Sequence, residues 1–157
     1  MRKLMSVVLM LLVAGLVAWG ATAQEATPDP AVQRQTAVNL YWQSCGTCHT
    51  ALPPEVLPLQ TWQTLLRDPN HYGQMITPPS GPILQLIWSA VREASLPIND
   101  SEKIPYRLAD SRFFRALHPD VTFRDPVRVT SCIDCHPQAD IGNFINLTPE
   151  WLAQRDP

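Results

Sequence analysis

The sequence predicts a mainly α fold: short helices joined by irregular loops. Three observations predict it. Apolar residues recur at helical spacing in short stretches. No run of alternating apolar and polar residues marks a strand. The 16 prolines among 157 residues cut each helical stretch short.

The elements follow in chain order. Residues 1–23 read as a secretory signal: Arg2 and Lys3 precede the apolar run Met5–Trp19, and Ala21-Thr22-Ala23 is a small-x-small cleavage site. That run is about fifteen residues, short of the roughly 20 that a membrane span needs. The expectation is a removed signal and no stable membrane span afterwards. Residues 24–35, with Pro28 and Pro30, are expected as a flexible tail, and residues 36–157 as one domain. A first helix is expected from about Thr36 through the Cys45 motif, with Val38, Leu40, Tyr41 and Trp42 available for packing and Pro53-Pro54 ending any continuation. Trp62, Leu65 and Leu66 mark a short helix closing at Asp68-Pro69.

The clearest helix is Pro82 to Ser95, after the irregular link Pro78–Pro82. Its apolar surface (Ile83, Leu84, Leu86, Ile87, Trp88, Ala90, Val91) is broad, which suits helix packing, cofactor contact or both. Proline at its first turn and Leu96-Pro97 at its end fit those positions. Ser111 to Leu117 forms a further short helix with Ser111 as cap. Ile141 to Leu147 is apolar but broken by Gly142 and Asn143, and Thr148-Pro149-Glu150 begins a terminal turn or short helix.

The chemistry lies in two copies of one motif, Cys45-Gly46-Thr47-Cys48-His49 and Cys132-Ile133-Asp134-Cys135-His136, which use all four cysteines and two of the four histidines. A disulfide, a thioredoxin-like dithiol or half of a zinc site would each explain a Cys-x-x-Cys pair. None of them explains why histidine follows the second cysteine both times. Covalent attachment of a c-type haem does: two cysteines reach the two vinyl groups of one porphyrin, and the adjacent histidine supplies the proximal nitrogen to iron. The predicted fold is therefore short helices and irregular loops packed around two covalent c-type haems, which supply apolar volume that so small a core lacks. The motifs lie far apart with dissimilar flanks, so the chain is not a clear tandem repeat.

The whole chain carries 12 Lys+Arg against 14 Asp+Glu, and loss of Arg2 and Lys3 with the signal leaves the rest more acidic still. That argues against nucleic acid as a partner and permits docking to a basic patch on a redox protein.

His49 and His136 are the proximal ligands by the motif itself. The remaining two, His71 and His118, are open at this level to two readings, distal ligand or ordinary exposed histidine. Met75 competes for the first haem, and no methionine follows it in the chain.

From Tyr41 to about Leu147 the sequence resembles the dihaem cytochrome c family of small exported bacterial proteins, a group that includes electron donors to an oxygen-binding cytochrome. The resemblance rests on Tyr41-Trp42-Gln43-Ser44 leading into the first motif, then Pro53-Pro54, Leu57-Pro58, Trp62-Gln63-Thr64-Leu65 and His71-Tyr72-Gly73. It continues through Ser111-Arg112-Phe113-Phe114-Arg115-Ala116-Leu117-His118 and from the second motif into Ala139-Asp140-Ile141-Gly142-Asn143-Phe144. The chain departs from the pattern in the Pro78–Pro82 link and between Asn99 and Tyr106.

The resemblance implies bis-histidine ligation of both irons, with His71 and His118 at the distal positions. Proximity in sequence favours His49 with His71 and His118 with His136, although a compact fold can cross ligands between its halves. Arg112 and Arg115, three apart on one helix face, are candidates for haem propionates or for a solvated pair. Tyr41, Trp62, Phe113, Phe114 and Phe144 are candidates for porphyrin edges or for the protein core.

The function implied is outer-sphere electron transfer by a non-enzymatic carrier in the periplasm, or in the thylakoid lumen of a cyanobacterial source. Its partners would be transient redox proteins, another cytochrome or a membrane cytochrome b. A subunit of a periplasmic reductase, or a small dihaem peroxidase or reductase with one axial position open, are the alternatives.

Overall fold

The computed structural model describes residues 28–123 and 127–153. The expected secretory signal lies outside the described residues. The fold is mainly α, with five helices and one minimal hairpin among the described residues: α1 Pro30–Cys45, α2 Leu59–Leu65, β1 Asn70–His71, β2 Gln74–Met75, α3 Gly81–Ala94, α4 Arg112–Leu117 and α5 Pro149–Ala153. Short 3₁₀ turns at Pro54–Val56, Leu108–Asp110, Val129–Asp134 and Ala139–Ile141 punctuate the loops. None of the described helices is long and apolar enough to cross a membrane.

Helix α1 starts at Pro30 rather than at Thr36, so half of the stretch expected as a tail is helical. The reason is local. Asp29 is an N-cap whose carboxylate accepts from the Ala31 N–H at 2.8 Å, and Pro30 fills the first helical position, where its missing donor costs nothing. The other helices fall close to their expected places. Ser111 caps α4 as expected, its hydroxyl accepting from Phe114 N–H at 3.4 Å.

Helices α1 and α3 pack against each other and carry the core. Ala37 and Tyr41 of α1 lie one turn apart and join Ile87, Ala90 and Val91 of α3 in a buried cluster. Leu52, Val56, Leu57, Trp62, Leu65, Leu66, Leu108 and Phe114 complete it. Helix packing thus takes the inner part of the broad α3 surface, while Ile83 stays exposed.

Buried side chains anchor the loops by hydrogen-bonding to backbone carbonyls. The Tyr41 hydroxyl donates to Leu52 O, Trp62 Nε1 to Pro54 O (2.8 Å), Thr61 Oγ1 to Pro105 O (2.6 Å) and Ser111 Oγ to Val56 O (2.6 Å). Gln60 donates to Ile98 O and accepts from Ile98 N–H. Each bond satisfies a buried polar group that regular structure leaves unpaired. Together they let a proline-rich chain hold irregular segments in place.

Candidate haem-binding sites

The two motifs sit on different local structures. Cys45 is the last residue of α1, and the Gly46 N–H closes the helix on Trp42 O at 2.9 Å. A Cβ at Gly46 would stand 2.6 Å from that same oxygen, so glycine lets the chain turn tightly into Cys48-His49. The second motif coils as 3₁₀ turn, with His136 N–H on Cys132 O at 2.8 Å. Behind it, the Gln138 side-chain oxygen accepts from Asn143 Nδ2 and Asn146 Nδ2 at 2.8 and 2.6 Å. Those bonds hold the loop that carries Phe144.

Among the described residues no disulfide joins the four cysteines. Burial pushes the Cys45 thiol up to about 11 and raises that of Cys132 as well. Neutral thiols at these places are soft, half-buried groups rather than reactive thiolates.

The four histidines come together as two pairs. His49 faces His71 with ring centres 6.0 Å apart and planes only 2° from parallel. His118 faces His136 at 6.1 Å with planes 80° apart. Two imidazoles that share one metal, each through a nitrogen about 2 Å from it, have ring centres roughly 6 Å apart. Both pairs have the ring spacing that a shared iron requires.

The tautomers fit as well. His49 Nδ1 lies 2.8 Å from Thr50 O and His118 Nδ1 lies 2.8 Å from Phe114 O, contacts that place the ring proton on Nδ1 and leave Nε2 with a lone pair for a metal. On the other ring of each pair, the buried Nδ1 atoms of His71 and His136 have no hydrogen-bond partner among the described residues. A buried nitrogen left so costs about 1–3 kcal/mol.

Both rings favour the neutral form that metal ligation needs. Burial lowers the His71 pKa first, His49 lowers it further, and Asp68 works against them. Burial likewise lowers that of His136, then His118, against the backbone of Phe144 and Asn146.

His71 reaches its place through the hairpin, which no apolar period in the sequence announces. His71 pairs with Gln74 across a two-residue turn in which Tyr72 and Gly73 both have positive φ, 53° and 92°. Asn70 Oδ1 accepts from Gly73 N–H, and the Tyr72 hydroxyl donates to Tyr106 O at 2.7 Å. An Asn followed three residues later by Gly was the available sequence signal. Met75, the competing ligand, sits opposite Asn70 and is 77% exposed.

His118 is the C-cap of α4, packed against Phe114 (4.5 Å between ring centres) and Phe123 (5.4 Å). Phe123 carried no signal in the sequence. Phe144 lies between the pairs' supports: 5.5 Å from His136 and stacked at 6.3 Å on Trp42, one turn before Cys45. Tyr41, Trp62 and Phe114 belong to the protein core. Arg112 is paired with Glu102 at 2.9 Å and lies over the Phe113 ring, and Arg115 reaches Ala109 O at 3.3 Å.

No curated protein matches this sequence. The crystal structure of DHC purified from Rhodobacter sphaeroides is similar at 27% identity, covering 66% of this chain and 94% of that one, with a TM-score of 0.49. The family profile of dihaem cytochrome c matches residues 41–144, a span that holds both motifs and all four histidines. The chain belongs to the dihaem cytochrome c family, whose members are two-haem electron carriers rather than catalysts.

Proposed function

We propose that this protein is an exported, bis-histidine dihaem electron carrier that works by outer-sphere transfer between redox proteins. Cys45 and Cys48 hold one haem and Cys132 and Cys135 the other. His49 and His71 ligate the first iron, His136 and His118 the second. The carrying observation is that each motif histidine faces one other imidazole at the spacing a shared iron requires.

Each haem, once bound, supplies one-electron exchange between ferric and ferrous iron. The chain's own residues do the rest. Two imidazoles per site occupy both axial positions and leave none for a substrate, which disfavours the peroxidase and reductase alternatives. Thr50 O and Phe114 O orient one ring of each pair. Exposed apolar side chains in the same segments, Met75 and Ile76 after His71 and Ile133, Ile141 and Ile145 around the second motif, offer surface for the porphyrins.

In this reading residues 1–23 are removed on export to the periplasm, and residues 36–157 form the haem domain. The acidic balance suits a transient interface with a basic patch on another cytochrome or a membrane cytochrome b.

The test is haem stoichiometry with optical spectra of the purified protein. Two low-spin haems per chain, with no carbon monoxide adduct on reduction, are expected. His118→Ala should convert one haem to a form that binds carbon monoxide. A substantial high-spin fraction in the native protein, or an unchanged spectrum in the variant, rejects the ligand assignment.

A further inference from the structure

The two histidine pairs have nearly the same spacing but opposite ring geometry: 2° between planes at His49/His71 and 80° at His118/His136. Each angle is braced by different packing. His71 hangs from the hairpin, with Tyr72 edge-on at 5.2 Å and tied to Tyr106. His118 is held by Phe114 O and wedged against Phe114 and Phe123, whose own ring centres are 5.0 Å apart.

Ring orientation matters because an imidazole donates π density perpendicular to its own plane, into one of two iron d orbitals. Parallel rings act on the same orbital and raise it above its twin. Crossed rings act on one each and leave the two close in energy. In ferric iron the unpaired electron occupies the upper orbital, so raising that orbital favours the oxidised state. The surroundings act in the same direction: Phe114, Phe123 and Phe144 crowd the crossed pair, and an apolar shell disfavours the extra positive charge of ferric iron.

We propose that the two sites are electronically unequal, the crossed His118/His136 site being reduced first and the parallel His49/His71 site second, with Phe123 a positioning residue that holds His118 crossed. This rests on the bis-histidine reading above. Transfer within the chain moves one electron from ferrous iron at the parallel site to ferric iron at the crossed site. All four iron–nitrogen bonds persist, and no proton moves.

The experiment is low-temperature electron paramagnetic resonance of the oxidised full-length holoprotein, followed through a potentiometric titration. Two low-spin signals of equal intensity are expected, one rhombic with three resolved g values and one dominated by a single large g value. The large-g signal should disappear first on reduction. Phe123→Ala should move the large-g signal towards the rhombic form while haem content and the rhombic signal stay unchanged. Two signals of one kind, or loss of the rhombic signal first, would overturn the inequality; both signals moving in the variant, or neither, would overturn the role of Phe123. Failure of the bis-histidine reading has its own signature, a high-spin signal or fewer than two haems per chain, and would overturn both.

Discussion

Tyr41 shows how much of this fold rests on single side chains. It is 2% exposed, its ring meets Trp42 and Trp62 edge-on, and its hydroxyl donates to the buried carbonyl of Leu52, just beyond the first motif. Burial raises its pKa well above the usual tyrosine value, so it remains a donor throughout the working pH range. Tyr41→Phe keeps the ring and removes the donor, leaving Leu52 O unpaired. The expected loss is about 1–3 kcal/mol in denaturant unfolding, with no change in haem content. An unchanged midpoint would mean that water replaces the hydroxyl.

At the scale of elements, caps and turns determine where the site residues end up. Asp29 and Pro30 start α1, and α1 delivers Cys45 at its last turn. Among the turns, Gly142 is the most constrained. Its φ is 79°, and a Cβ there would meet the Trp42 indole at 3.1 Å. Gly142→Ala combines left-handed strain with a push against the ring on which Phe144 stacks. A destabilisation of more than about 1 kcal/mol is expected, read as a lower unfolding midpoint. A wild-type midpoint would show that the loop shifts freely, and Trp42 and Phe144 would then lose their place as a connection between the two motifs.

Across the whole molecule, the core is unevenly shared. The buried cluster runs from Ala37 to Phe114, whereas among the described residues after Phe123 the fully buried apolar side chain is Ala139. Ile133, Ile141 and Ile145 of that segment are exposed, the last at 90%. Under the proposed function, the second haem replaces a protein core for the segment after Phe123. A chain with Cys132 and Cys135 both changed to Ala should therefore be cut by a protease between residues 119 and 148 well before the α1–α3 core is touched. Equal protection of that segment with and without its haem would reject the idea. The same unevenness explains how legible the fold was. α3 and α4 lie within a residue of their expected spans and α2 begins and ends about three residues early, because short apolar periods and prolines are local signals. α1 starts six residues before the expected Thr36 because Asp29 caps it and makes Pro30 an N1 residue. The hairpin at His71 leaves no mark in the apolar pattern, because a two-residue strand has no periodicity.

The proposed attachment chemistry is carried by the sequence alone. Cysteine spacing and the adjacent histidine are covalent facts of the chain, and the family follows from them and their flanks. The sequence also determined the mainly helical class, since proline placement and apolar period act over a few residues. Which histidine stands opposite which, and at what angle, was decided by tertiary structure. Those relations bring together residues 22 and 18 positions apart in the two pairs (49 with 71, 118 with 136) through a hairpin, a helix cap and a wedge of phenyl rings. A ring's orientation depends on everything packed against it, and those neighbours come from segments that meet only when the chain folds.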